Sequence, residues 1–363
     1  MPNSLILIPD ISGFTEFVNN TEITHSQHII SELLELIINS NELNMFVAEV
    51  EGDAVLFVKE DSVPPISDLI SQAENMFLQF HRHLQQYESQ RICNCGACST
   101  AYNLSLKIIA HASEIGFTFV NKSRKPFGPG VIKAHRLLKN SIPGKEYVLF
   151  SDAFFTDIEK KAFPPAAWIE FKGGISTYDE LGDIPYKYIL LNKLKDHVHE
   201  AEPIQVIPQD INPVIFEGII EKPVKNVFEI LSNLDYRVLW NSGIKELIYD
   251  KNRINRAGTK HICVFSGSKV EIETLKNETG SGKLVYGERI IDAPVIKDIS
   301  FYWILENADN LTKVRIEVYI HPHSIFEKIL LPFIKLNIKG VSRKSFNSLK
   351  TYCESNPGLQ HVN

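Results

Sequence analysis

Two apolar, β-branched stretches near the start of the chain, LILIPDISGFTEF at residues 5–17 and VAEVEGDAVLFV at 47–58, are each interrupted by one acidic residue, Asp10 and Asp53. In both, the acid falls where a strand should end or turn. Hard divalent cations take oxygen ligands, and a Mg²⁺ held by one or two carboxylates completes its shell with substrate phosphates. On this reading the fold serves to bring Asp10 and Asp53 together. The alternative is local: Asp10 caps the following helix and Asp53 sits in a Gly-Asp hairpin turn, both places that favour aspartate for its short-range hydrogen bonds.

A chain of 363 residues is long enough for two domains, each with its own core. With 44% hydrophobic and 23% charged residues it has the composition of a soluble globular protein, and a net charge of −6 supplies no basic field for nucleic acid. Charges break every apolar run well short of the roughly 20 residues of a membrane span, and the N-terminus lacks a signal-type pattern. The expectation is a cytoplasmic protein that does not span a membrane. Five cysteines, three of them within residues 93–98, argue for reduced thiols over a secreted disulfide framework.

After the first strand, residues 11–40 read as a helix with Ile29, Leu33 and Ile37 on one stripe. A hairpin of strands 45–51 and 53–59 turns at Gly52-Asp53, which makes the two strands antiparallel neighbours. A second helix is expected over about 66–90, then strands at 104–112 and 115–121. A glycine-rich PFGPG turn opens a helix at about 131–141, and strands near 146–151, 167–172 and 186–193 complete the half. The order βαββαβ, with additions, describes an α+β, ferredoxin-like sheet with helices on one face.

DISGFT, the hairpin EVEGDAVLF, KIIAHASEIG and FGPGVIKAHRLLKNS, in that order, resemble the motifs of the class III adenylate/guanylate cyclase catalytic domain over roughly residues 4–193. The resemblance implies that Asp10 and Asp53 hold two divalent ions, Mg²⁺ or Mn²⁺, which activate the ribose 3′-hydroxyl and clamp the triphosphate. Two cations are needed because the attacking and leaving oxygens both develop charge. It places Glu49 at one purine-selecting position and, at about the second, Lys125 in place of the family's neutral thiol, hydroxyl or carboxylate, with Arg136 at the transition-state arginine and Lys172, in EFKGGIST, at the triphosphate lysine. A glutamate can accept from the guanine N1–H and N2 amino group, a pair of donors adenine lacks on that edge. Four residues before Arg136, where the family carries an asparagine, stands Ile132, which can make no side-chain hydrogen bond. In this family the active site forms between two such domains, so one copy per chain implies a homodimer.

ICNCGACSTAY has no counterpart in that pattern. Cys93, Cys95 and Cys98 are close enough to converge on one soft cation such as Zn²⁺, and His81 and His83, on the preceding helix, are candidates for a fourth ligand. Loop thiols without a metal are the competing reading.

Residues 195–212, polar and with three prolines, read as a linker between a first domain (1–194) and a second (213–356), with a short tail at 357–363. The second half opens with a strand and a short helix, continues as a series of strands, and closes with a helix over about 323–354 that Pro332 should kink or divide. This order, with DYRVLWNSGIKEL, resembles the START-like, polyketide-cyclase-like superfamily. That resemblance implies a helix-grip domain, a curved antiparallel sheet and final helix around a cavity for an apolar small molecule or lipid. Trp240, Phe265, Tyr286, Phe301, Trp303, Tyr319 and Phe333 are candidates to line it, although aromatics in strands are more often plain core. Together the halves suggest a cyclase-like signalling protein with a ligand-binding module. The alternative is a catalytically inactive nucleotide- or ligand-binding protein, or a scaffold.

Overall fold

A computed structural model describes residues 3–160, 168–198, 212–275, 282–291 and 298–356. In chain order the first elements are β1 (Ser4–Ser12), α1 (Phe14–Asn20), α2 (Ile23–Asn39), β2 (Phe46–Glu51), β3 (Ala54–Lys59), α3 (Ile66–Ser89), α4 (Gly96–Thr100), β4 (Ser105–Ser113), β5 (Gly116–Val120), β6 (Ser123–Phe127), α5 (Pro129–Leu137), β7 (Tyr147–Ser151), α6 (Phe155–Lys160), β8 (Lys172–Tyr178) and β9 (Gly182–Leu190). There follow β10 (Val214–Ile220), α7 (Val224–Ser232), α8 (Arg237–Trp240), β11 (Glu246–Ile248), β12 (Lys260–Phe265), β13 (Ser268–Leu275), β14 (Leu284–Ile291), β15 (Asp298–Ala308), β16 (Leu311–Ile320) and α9 (Ile325–Ser355). The chain divides into two compact units, residues 1–88 with 95–201, and residues 89–94 with 202–363. The expected linker falls for the most part, and the tail wholly, outside the described residues.

The first unit is built on a mixed seven-stranded sheet in the order β2-β3-β1-β4-β7-β9-β8, in which only β4 and β7 pair in parallel among the described strands. Its β2-β3-β1-β4 part, with helices joining β1 to β2 and β3 to β4, is the ferredoxin-like pattern the sequence leads one to expect. Helices are not confined to one face. Alternation along β1 sends Ile6 and Ile8 to one side, where they pack with Ala134 and Leu137 of α5. Leu5, Leu7 and Ile11 on the other side are equally buried. None of the buried residues of α2 or α3 belongs to the α5 cluster.

Three local readings change. The single helix expected over 11–40 is two, because β1 continues through Asp10 to Ser12 and the chain breaks again at Thr21-Glu22 before α2. The strand expected at 167–172 lies instead at 172–178 as β8, where Gly174 lets Tyr186 of β9 lie against the backbone; a Cβ there would come within 2.5 Å of the ring. The strand expected at 115–121 is β5, and an additional strand, β6, pairs with it and runs into PFGPG. Gly130 in that motif brings α5 onto β4 so closely that a Cβ would fall 2.8 Å from the Ser113 Cβ.

The second unit is a seven-stranded antiparallel sheet in the order β10-β16-β15-β14-β13-β12-β11. The long helix α9, opened by a Ser324/Glu327 capping box, runs through Pro332 without being divided. It seats Phe346 over β10 at Gly218, where a Cβ would come within 2.3 Å of the Phe346 ring. The segment 89–94 belongs to this unit: Ile92 is buried in its main core, and the Gln90 carbonyl accepts the Ala257 N–H at 2.9 Å. No helix among the described residues is long and apolar enough to cross a membrane.

Candidate active site

Asp10 lies in β1 opposite Ala54, and the Ile11 N–H donates to the Asp53 carbonyl at 2.9 Å, so the register of β1 on β3 sets the two aspartates side by side. Asp53 does occupy the expected two-residue turn, whose Gly52 has φ +58, the first central position of a type II′-like hairpin. Asp10 does not cap a helix. The residue before α1 is Gly13, with φ +92 and no side-chain cap, and Asp10 is only 9% exposed. Lys107, the cross-strand partner of Asp10 on β4, sets its ammonium 3.2 Å from the Asp10 carboxylate. Burial pushes both carboxyls above the ordinary aspartate range. Asp53's charge adds to the rise at Asp10, and Lys107 opposes it at both. A buried and a half-buried carboxylate side by side, with one lysine against them, leave oxygen donors at a sheet end, a donor set that fits Mg²⁺ or Mn²⁺.

Glu49 and Lys125 meet. The Lys125 ammonium donates to Glu49 Oε1 at 2.6 Å, joining β2 to β6. A register shift between Val47 and Glu49 accompanies this position on the edge strand. Arg136 and Lys172 lie elsewhere. Lys172 pairs with Tyr188, Tyr188 with Leu149, Leu149 with Ile109 and Ile109 with Ile8 of β1. Lys172 is therefore four strand spacings, about 19 Å, from β1. Arg136 reaches Glu180 at 3.4 Å in the turn after β8, at the other end of that strand from Lys172. Ile132, one turn earlier on α5, is 52% exposed.

His81 and His83 are not beside the cysteines. His81 is 3.3 Å from Glu146 and His83 2.8 Å from Glu32. The histidine at the cysteine loop is His25 of α2, whose Nδ1 stands 3.2 Å from Cys95 Sγ and 3.4 Å from Cys98 Sγ. Nothing in the local pattern could reveal a partner seventy residues away. Lys107, by contrast, opens the KIIAHASEIG motif and is found as soon as β4 is aligned with β1.

The seven aromatics of the second half are distributed. Trp240, Tyr286 and Trp303 share the main core, with Phe301 packed against it. Phe265 joins Ile244, Cys263 and Ile272, Tyr319 joins Leu275 and Tyr302, and Phe333 is 74% exposed. Of these, Trp240 alone lines a cleft of about 630 Å³ beside α9, with Leu239, Arg343, Lys344 and Tyr352 also in its walls. Sequence reasoning missed the charged centre of this unit. Arg237, fully buried, donates to Glu288 in a very short contact, and the Tyr286 hydroxyl donates to the same Glu288 oxygen at 2.7 Å. Asn255 donates to Tyr286 at 3.0 Å and accepts from Thr274 at 2.7 Å.

The first unit is thus an α+β fold on a mixed sheet, in which Asp10 and Asp53 stand side by side. A family model described as "Protein of unknown function (DUF2652)" matches residues 30–147. The "Uncharacterized protein Rv2561/Rv2562" of Mycobacterium tuberculosis is 30% identical over 153 residues, 41% of this chain and 71% of that protein. The chain belongs to the family of this mycobacterial protein. Among solved structures, the guanylate cyclase domain of RhGC from Catenaria anguillulae in complex with GTP is similar at 16% identity, covering 52% of this chain and 96% of that one, with a TM-score of 0.38. The guanylyl cyclase Cya2 is 13% identical over 55% of this chain and 94% of its own, with a TM-score of 0.38. Ara h 8.0201 is 18% identical, covering 39% of this chain and 97% of that one, with a TM-score of 0.33.

Proposed function

We propose that the first unit binds a purine nucleoside triphosphate with Mg²⁺ or Mn²⁺ at Asp10 and Asp53, and converts it to a cyclic nucleotide as a homodimer. The observation that carries this reading is the adjacency of two carboxylates, Asp10 buried and Asp53 half-buried, at the end of β1 and β3. Bound cations would stabilise charge on the attacking and leaving oxygens. Glu49 and Lys125 favour GTP over ATP: the carboxylate accepts from guanine N1–H and N2, while the ammonium donates to O6. Lys172, four strand spacings from β1, and Arg136, turned to Glu180, suit the triphosphate of a partner copy, where cationic donors would meet its oxygens. The exposed Ile132 favours a second reading, nucleotide binding without turnover, since one missing preorganised donor commonly costs about 10²–10³ in rate.

The test is cyclic nucleotide and pyrophosphate release from GTP and ATP with each cation, beside Asp53→Ala and Lys172→Ala. Expected is cation-dependent product from GTP, lost in both variants and raised by Ile132→Asn. Cation-dependent GTP binding without product, lost in Asp53→Ala, would favour the second reading. No binding at all would remove both.

The second unit, a long helix against an antiparallel sheet, is proposed as a helix-grip module for an apolar small molecule or lipid. Its cleft volume lies in the range of about 300–1,000 Å³ usual for ligand sites. Titration of a fluorescent fatty acid should saturate, and Leu239→Asp with Arg343→Glu should abolish binding without lowering the melting temperature. Unchanged binding in that double variant would place the ligand elsewhere.

A further inference from the structure

We infer that His25, Cys93, Cys95 and Cys98 bind one Zn²⁺, a structural site independent of the nucleotide chemistry proposed above. One ligand atom from each of the four side chains lies within 4.8 Å of all the others. His25 Nδ1 stands 3.2 Å from Cys95 Sγ and 3.4 Å from Cys98 Sγ. A tetrahedral zinc with bonds of about 2.3 Å to sulfur and about 2.0–2.1 Å to nitrogen sets its nitrogen and sulfur ligands about 3.5–3.6 Å apart. The protein thus holds imidazole and thiols a few tenths of an ångström from the edges of that polyhedron. Three sulfurs and one imidazole are a soft donor set that selects zinc over the oxygen-seeking Mg²⁺. Four protein ligands close the shell, which is the signature of a structural site and not of a catalytic one.

The loop around the ligands is shaped for thiolate. The Cys98 N–H points at Cys95 Sγ at 3.4 Å, a donor that stabilises negative charge on the sulfur, and the Ser99 N–H closes the turn on the Cys95 carbonyl at 3.0 Å. Glu22, at the start of α2, receives the Gly96 and Ala97 N–H groups on its two carboxylate oxygens, each at 3.2 Å. Gly96 sits close against that carboxylate, where a Cβ would come within 3.2 Å of an oxygen. Glu22 and His25 are three residues apart, one helical turn, so the same end of α2 supplies both the anchor of the loop and its nitrogen ligand. This also accounts for the break between α1 and α2, which frees Glu22 from a continuous helix.

The full chain should carry one zinc per molecule by mass spectrometric metal analysis, and the zinc should be lost in His25→Ala and in Cys95→Ser with Cys98→Ser. It should persist in His81→Ala and His83→Ala. Because loss of a ligand can unfold the loop, the wild-type protein, stripped with chelator and titrated with Co²⁺, gives an independent reading. Thiolate-to-cobalt charge transfer and the intense visible bands of tetrahedral Co²⁺ should appear, and saturate at one equivalent. Their absence, or zinc retained without Cys95 and Cys98, would overturn the site. Zinc lost on removal of His81 or His83 but not of His25 would overturn the ligand assignment.

Discussion

Glu288→Ala should cost the second unit about 3–5 kcal/mol, the usual loss when one partner of a buried ion pair is removed. The Arg237 guanidinium is fully buried and has Glu288 as its anionic partner, with Tyr286 and the Trp240 ring, 5.2 Å away, as neighbours. Burial pushes the Glu288 carboxyl up, but Arg237, His261 and the Tyr286 hydroxyl outweigh it and hold it below the ordinary range. Without Glu288 the guanidinium keeps its desolvation and loses its compensation. In a unit of this size the loss amounts to about 6–20 °C in melting temperature. Replacing both partners, Arg237→Met with Glu288→Leu, should recover most of the loss, because a buried pair is commonly worth no more than the apolar groups that fit its place. Thermal unfolding of wild type and the two variants decides the matter: a single variant within 1 °C of wild type, on a scale where about 2–4 °C corresponds to 1 kcal/mol, would show that the pair carries little of the unit's stability.

Both units should weaken in mild acid. Burial lowers the His111 imidazole to about 4, with Lys133 adding to the fall, and burial lowers His261 to about 4 as well. His81 is pushed down in the same direction by burial, with Glu146 opposing. In the unfolded chain these histidines titrate near 6.5, so between about pH 6.5 and pH 4 the unfolded state binds more protons than the folded one. Stability is therefore fully present above the unfolded value and is lost as the pH falls towards the folded one, by on the order of 2–3 kcal/mol for His111 and for His261. Glu288, held low, adds its loss below the usual glutamate range. Denaturant midpoints measured from pH 7.5 to 4.5 should fall steeply, and His111→Phe should flatten the curve for the first unit. An unchanged midpoint across that range would show that these histidines are protonated without penalty.

The parts of this fold that could be read in the sequence are those whose signal is local. β1 and β3 announce themselves as short continuous apolar runs, buried on both faces, α3 by its helical stripe, and Gly52-Asp53 marks its turn directly. The strand at 115–121 is β5, but its partner β6 was hidden because the turn residues between them, Asn121 and Lys122, take φ +46 and +67, and lysine is not a residue that signals a left-handed turn. Of the candidate site, Asp10 comes together with Asp53 and with Lys107 because they sit on neighbouring strands. Glu49 at Lys125, His25 at the cysteines and Arg237 at Glu288 are contacts across long sequence separations, where a single chain's pattern carries no pairing information. A buried arginine in a run such as DYRVLW looks, in sequence, like any exposed one.

The inclusion of residues 89–94 in the second unit bears on how this protein can be taken apart. A cut at 195–212, where composition marks the obvious seam, would yield a C-terminal fragment lacking Ile92 from its core and the Gln90 carbonyl that receives the Ala257 N–H. The matching N-terminal fragment would carry an apolar residue with no core of its own. Neither half is a cassette that a single recombination event, or a single restriction site, could move intact; a transplant of the second unit must bring along six residues from a distant part of the gene.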